Sequence, residues 1–313
     1  MDSCTAVAKI PPSPVSQSVC AVIVTYHPDP DFGNRLQRVT KQVSQIVIID
    51  NGSTGSCIEQ IRNLAGRRTI HLILNSSNEG LASALNTGIR WAASRGYRWA
   101  LTLDQDTIVA LDMIRSLADV FQWYAFPDRL AVIGSNYRHK LNGRVGWDKG
   151  IGSNGAPGRE MKSVLTSGSL VLVDAFQAIG GFRDEFFIDC LDHEYCLRAR
   201  ANGFRVAMTS KPVMEQRIGR LTEHRLLWKI VCTSNHSPMR HYFMTRNTVI
   251  LAQEYIGKEP GWILGYLWSW LKSILLVCLF EEERLTKIKR IIRGCVDGLL
   301  KRTGLNNQFS VQL

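Results

Sequence analysis

Apolar runs alternate with amphipathic stretches four times in the first 110 residues. Residues 20–26, 46–49, 69–74 and 99–103 are continuous runs rich in Val, Ile and Leu, the texture of strands buried on both faces. Segments around 33–43, 55–65 and from 81 onward read as the helices between them, and Pro28 and Pro30 end the first run. This rhythm predicts an α/β fold: a Rossmann-like, largely parallel sheet with helices on both faces. Further on, residues 136–160 are loop-rich and 164–173 form a strand pair or strand edge. Gly180-Gly181-Phe182 is a turn, 184–202 is an acidic loop feeding a helix, and 206–208 is a late strand. Pro11, Pro12 and Pro14 with several serines predict a disordered tail over 1–18. The α/β domain then covers 19–250, and 251–313 is a basic, amphipathic helical region.

That last region has its own texture. Residues 262–280 are nearly all apolar, include Trp262, Trp268 and Trp270, and are interrupted by Ser269, Lys272 and Ser273. About twenty uninterrupted apolar residues span a bilayer, so this stretch is at the margin and carries a charge. An amphipathic helix lying in the lipid interface suits it better, since Trp prefers that depth and Lys can snorkel. The following Arg284, Lys287, Lys289, Arg290 and Arg293 favour anionic lipid. A helix buried in the core or in a dimer contact is the alternative.

Composition sharpens this picture. With 45% hydrophobic and 21% charged residues in 313, the chain is globular. Its net charge of +11 is uneven: ten basic against six acidic residues in 1–100, eleven against thirteen in 101–200, and seventeen against eight in 201–313. The acidic middle suits metal and base chemistry. The basic end should meet phospholipid, a lipid-linked diphosphate or nucleic acid. Nucleic acid is disfavoured, because no zinc finger, helix-turn-helix signal or aromatic-basic interleaving is present. Eight scattered cysteines without a C-x-x-C pair exclude an ordinary zinc site. With no leader-like start, free thiols in a reducing cytosol are expected.

The chemistry concentrates at strand ends. Asp104-Gln105-Asp106 closes the run 99–103, and Asp50 closes 46–49. Carboxylates at the carboxyl ends of neighbouring parallel strands converge on the crevice where open α/β sheets bind ligands. Two aspartates one residue apart can share a hard divalent cation, Mg²⁺ or Mn²⁺, and that cation can hold a diphosphate. A second acidic cluster, Asp189 to Glu194, places Asp192 at a helix start, where the dipole keeps a carboxylate ionised for general base work. Gly150-Ile151-Gly152-Ser153-Asn154-Gly155 matches a dinucleotide fingerprint but lacks the strand before and helix after that the fingerprint needs. No P-loop is present.

Taken in order, Thr25-Tyr26, Asp50-Asn51-Gly52-Ser53, Asn78-x-Gly80 with Asn86-x-Gly88, Asp104-Gln105-Asp106, Thr166-Ser167-Gly168, and Asp192-x-Glu194 with Leu197-Arg198-Ala199 resemble the family 2 inverting glycosyltransferases of GT-A fold. The likeness covers about residues 19–250. Within that family, 24–29, 103–106 and 187–189 are most similar to bacterial rhamnosyltransferases that use dTDP-L-rhamnose in O-antigen or rhamnolipid synthesis. The resemblance implies a single-displacement hexosyltransferase, working on a lipid-linked glycan or glycolipid at the inner face of the cytoplasmic membrane. It implies Thr25 and Asp50 against the nucleoside, Asn78 and Asp104 on the donor, Asp104 and Asp106 on the metal, Asp192 as base, and Ser167 and Gly168 on the acceptor side. Many relatives carry Glu directly before the base. Leu191 stands here, so Asp189 or Glu194 could share that role. Many carry His where Gln216 stands; Gln is a poorer metal ligand, and Arg217 beside it can meet phosphate directly. Another UDP-, GDP- or dTDP-sugar as donor, and a non-catalytic basic membrane or nucleic-acid-binding protein, are the competing readings.

Overall fold

The computed structural model describes residues 11–66, 69–140, 142–147, 155–216, 219, 222–226 and 229–303. Arg217 and most of the glycine-rich 150–155 segment lie outside them.

The predicted alternation forms as β1 (Val19–Thr25), α1 (Phe32–Thr40), β2 (Gln45–Asp50), α2 (Ser56–Ala65), β3 (Ile70–Leu74), α3 (Leu81–Ser94) and β4 (Trp99–Asp104). The four strands are parallel, in the order β3-β2-β1-β4. β1 and β2 are buried along nearly their whole length, which is why both read as continuous apolar runs rather than alternating ones. α3 packs on β1 and β2 through small residues. A side chain at Gly88 would strike Val22 and Ile49, so only glycine permits that approach.

The second half is mixed. It adds β5 (Ile108–Val109), α4 (Met113–Trp123), β6 (Leu130–His139), β7 (Gly158–Glu160), β8 (Ser169–Leu172), α5 (Val173–Ile179), α6 (Leu191–Ala201) and β9 (Arg205–Gln216). These extend the sheet as β4-β8-β6-β9-β5, with β7 also on β9. β8 runs antiparallel to both β4 and β6, and β6 runs parallel to β9. Only 169–172 of the forecast 164–173 pairs in the sheet; Ser167 and Gly168 before it are a turn. The late strand forecast at 206–208 extends to Gln216.

A hairpin of β10 (Thr222–Leu226) and β11 (Lys229–Thr233) precedes three helices: α7 (Pro238–Tyr255), α8 (Pro260–Phe280) and α9 (Arg284–Leu299). α7 packs along α9, and Tyr242 on α7 donates to the buried Asp297 on α9 at 2.9 Å. Residues 11–18, assigned by composition to a disordered tail, lie against the sheet, where Pro12 O accepts the Trp99 indole N–H at 2.9 Å.

Candidate active site

Register decides what meets at the carboxyl edge. Thr25 is opposite Asp50, and Val24 is opposite Asp104, so β2 and β4 deliver their carboxylates on either side of β1. A cleft of about 550 Å³ opens there. Asn78, Asp104, Asp106, Ser167, Asp189 and Asp192 all line it, from four separate stretches of chain.

Thr25 and Asp50 sit behind its wall. Thr25 Oγ1 donates to Asp50 Oδ1 at 2.9 Å, and Asp50 also accepts the Ser53 hydroxyl at 2.6 Å and the Ser53 N–H at 2.8 Å. Both side chains are buried, and the cleft is lined instead by the next residues, Tyr26 and Asn51. Neighbouring side chains along extended chain point to opposite faces, so the wall changes hands at each residue. Asn51 Nδ2 reaches Asn78 Oδ1 at 2.8 Å, and Asn78 Oδ1 also accepts the Gly80 N–H at 3.0 Å. Asn86 has a structural role: its amide closes on both the N–H and carbonyl of Phe182 and fixes the 180–182 turn on α3.

The acidic triplet splits. Gln105 pairs with the Tyr26 backbone at 2.8 and 3.1 Å, while Asp104 and Asp106 line the cleft on either side of it. Ser167 Oγ accepts the Asp104 N–H at 3.0 Å and is hydrogen-bonded to Thr107 Oγ1 at 2.7 Å, so it holds the Asp104 turn as well as lining the cleft. Gly168 does not line it. At φ +79° it holds a backbone conformation that side chains strain, and a Cβ there would crowd the Met214 thioether. Burial pushes the Asp104 carboxyl up to about 7; Asp106 and Asp192 add to this, against the opposing Arg240 charge and a Gln216 hydrogen bond. Gln216 Nε2 donates to Asp104 Oδ2 at 3.2 Å, while Gln216 Oε1 is buried without a partner.

The loop before α6 is strained. Phe187, Asp189 and Cys190 all have φ near +60°, a region that non-glycine residues enter only under compulsion. The compulsion comes from α7. Buried Asn247 Nδ2 donates to the carbonyls of Phe186, Ile188 and Asp189 at 2.9–3.0 Å. Arg246 Nη2 donates to Glu185 O at 2.6 Å. Phe187 O accepts the Leu81 N–H at 2.7 Å at the start of α3. Together these present Asp192 to the cleft.

The three acidic candidates for base separate here. Asp192 Oδ1 accepts the His193 N–H at 2.8 Å and the side chain stays on the cleft. Asp189 is engaged twice by Arg240, Nε at 3.0 Å and Nη2 at 2.9 Å. Glu194 is 1% exposed and faces away from the cleft, bonded to Arg198 at 2.9 and 3.0 Å and to Tyr255 at 3.1 Å. Two residues along a helix is a rotation of about 200°, so Glu194 and Asp192 cannot serve one site, and Glu194 is a core ion pair.

Four residues at this site carry no local sequence signal: Arg240, Asn247, His236 and Tyr266. Each is far from the motifs in sequence and arrives on α7, α8 or the turn before them. Burial and the neighbouring Arg240 push the His236 imidazole down to about 4, so it is neutral at physiological pH. Tyr266 Oη lies 3.2 Å from Cys190 Sγ.

An α/β sheet whose carboxyl edge gathers paired aspartates opposite a helix-start aspartate defines a sugar-nucleotide transferase of GT-A type. The profile of Glycosyl transferase family 2 matches residues 20–180, and the chain belongs to that family. It is 25% identical over 306 residues to the dTDP-rhamnosyl transferase RfbF of Shigella flexneri, covering 93% of this chain and 98% of that one. Two solved structures share the fold. The mannosyltransferase PcManGT from Pyrobaculum calidifontis, in complex with GDP-Man and Mn²⁺, superposes with a TM-score of 0.56 at 15% identity, over 93% of this chain and 90% of that one. TarS 1–349 of S. aureus superposes with a TM-score of 0.51 at 13% identity, over 95% and 75%.

Proposed function

We propose that this glycosyltransferase moves L-rhamnose from dTDP-L-rhamnose, with inversion, to a hydroxyl of a lipid-linked glycan or glycolipid. The observation that carries the reaction is Asp192 sharing one cleft with Asp104 and Asp106. The donor assignment is supported by the end-to-end likeness to the Shigella flexneri dTDP-rhamnosyl transferase.

Among the described residues no three His, Cys, Asp or Glu side chains gather for a metal. The donor set nonetheless fits Mg²⁺ or Mn²⁺: two carboxylates, Asp104 and Asp106, and the orphaned Gln216 Oε1, all hard oxygens. Such an ion would supply positive charge to the departing diphosphate. Asp192 accepts the proton of the acceptor hydroxyl as that oxygen attacks the anomeric carbon. Asn51 and Asn78 shape the donor wall, with Thr25 and Asp50 holding the turn behind it. Ser167 keeps Asp104 in place next to the acceptor side.

The membrane reading is supported by the outward face of α8. Leu264, Trp268, Leu271, Leu275 and Leu279 are each 46–61% exposed and recur at helical spacing along one stripe. The helix is long and apolar enough to cross a membrane. Both ends are tied to the body, however: Glu259 by Lys162 and Arg200, Glu281 by Lys287. A helix anchored at both ends lies along the protein, which favours the interface over a span. Lys287 is spent in that buried pair and the exposed Arg293 reaches back to Asp297 at 2.9 Å, with Arg284 and Lys289 as the other exposed cations of the cluster.

The test is a thermal-shift panel of dTDP-L-rhamnose and UDP- and GDP-sugars, with and without Mn²⁺. A ligand that binds only the folded state raises the melting temperature. The largest Mn²⁺-dependent rise is expected with dTDP-L-rhamnose; a rise confined to a UDP- or GDP-sugar would refute the donor assignment.

A further inference from the structure

Four carboxylates line the cleft: Asp104, Asp106, Asp189 and Asp192. One Lys or Arg side chain among the described residues lines it with them, Arg240. A nucleoside diphosphate brings further negative charge into this space, and a cation of the chain placed there would meet it.

Arg240 is built to be that cation. It stands in the first turn of α7, where Ser237 Oγ caps its N–H at 3.3 Å. Asp189 takes two of its five N–H donors, which leaves three for a ligand. The side chain is 40% exposed, so those donors open on the cleft rather than into the core. Burial alone would make this guanidinium easier to deprotonate; pairing with Asp189, with Asp104 and Asp106 adding, more than offsets that and holds it charged. Asp189 and Arg240 cannot drift apart, because Asn247 of the same helix grips the Asp189 carbonyl. A guanidinium fork matches two phosphate oxygens in a way an ammonium cannot.

We propose that Arg240 binds the diphosphate of the sugar-nucleotide donor directly and stabilises it as leaving group, with Asp189 as the residue that orients the guanidinium. This rests on the nucleotide-sugar reading of the cleft. As the acceptor oxygen bonds to the anomeric carbon, the bond from that carbon to the diphosphate oxygen breaks. Its electron pair stays on the diphosphate, where the Arg240 N–H groups meet it, while the acceptor proton passes to Asp192.

Calorimetric titration of the full-length protein at saturating Mn²⁺ tests this. Wild type is titrated with dTDP, UDP and GDP, and the tightest is carried forward with its monophosphate. Arg240→Met should weaken the diphosphate by about tenfold to a hundredfold and leave the monophosphate within about twofold. Arg240→Lys, which keeps the charge and guards against a folding defect, should recover part of the loss. Asp189→Asn should weaken the diphosphate less than Arg240→Met does, and Arg240→Met should lower kcat. If Arg240→Met binds the diphosphate like wild type, or loses both nucleotides by the same factor, Arg240 is only a loop staple and the proposal falls. If wild type binds no nucleoside diphosphate at all, the nucleotide-sugar reading itself has failed.

Discussion

Gln216 Nε2 lies 3.2 Å from Asp104 Oδ2, joining residues 112 apart in the chain at the end of β9 and the end of β4. The same amide leaves its oxygen buried without a hydrogen-bond partner. Asp104→Asn should therefore abolish any Mn²⁺-dependent rise in melting temperature without unfolding the protein. Gln216→Ala should weaken Mn²⁺ by roughly tenfold to a hundredfold, the range for groups at the edge of a metal site. Undiminished turnover of wild type in excess EDTA would remove the metal from the mechanism.

The base assignment separates two residues two positions apart. Asp192→Asn should lower turnover by roughly 10²–10⁴ with donor affinity kept. Glu194→Gln should instead lower the melting temperature, because it loosens the buried contacts to Arg198 and Tyr255. Steady-state kinetics beside a thermal melt decides. A dead Glu194→Gln of normal stability would reverse the roles.

Asn247 holds three carbonyls of the strained loop with one side-chain nitrogen. Asn247→Ala removes a donor from the Ile188 and Asp189 carbonyls and leaves Phe186 O only its 3.4 Å contact to Arg246, at a cost of about 1–3 kcal/mol for each acceptor that water does not reach. Both stability and kcat should fall, with donor affinity affected less. A kcat equal to wild type would show that the loop keeps its shape without this clamp.

The α8 stripe predicts reversible lipid binding. Wild type should co-float with anionic vesicles at low salt, and Trp268→Ser with Leu271→Ser and Leu275→Ser should stay soluble while turning over a water-soluble acceptor at the wild-type rate. Equal flotation of both proteins would assign the stripe to another partner.

Acid should destabilise the α7–α9 junction. Burial pushes His241 below its usual 6.5. Burial raises Glu281, but the Lys287 hydrogen bond at 2.8 Å, the Asn235 N–H and the nearby Lys287 and His241 charges together outweigh it and hold it below its usual 4.5. Both groups bind more protons unfolded than folded, so both withdraw stability as pH falls, His241 from about 6.5 downward and Glu281 from about 4.5 downward. Melting curves from pH 8 to 4 should show this decline, with the part below about 4.5 flattened in Glu281→Gln. An unchanged slope in that variant would exclude Glu281 as its source.

The sequence by itself determined the strands that build the site and the carboxylates at their ends. β1, β2 and β4 are buried on both faces, so their apolar runs are continuous, and Asp50 and Asp104 mark where two of those runs end at the carboxyl edge of the sheet. The connection through α1 joins the neighbours β1 and β2, whereas the one through α3 passes over both to set β4 on the far side of β1, a placement the packed sheet decided. The packed chain alone decided which polar groups face the ligand. Thr25 and Asp50 bond each other behind the wall while Tyr26 and Asn51 line it, a choice made by the direction of each residue at a strand end. Asp189 is paired by Arg240 from 51 positions away, and Glu194 by Tyr255 from 61. Pairings at such separations leave no periodicity in the sequence, because the partner's position depends on how the helices pack and not on any neighbour in the chain.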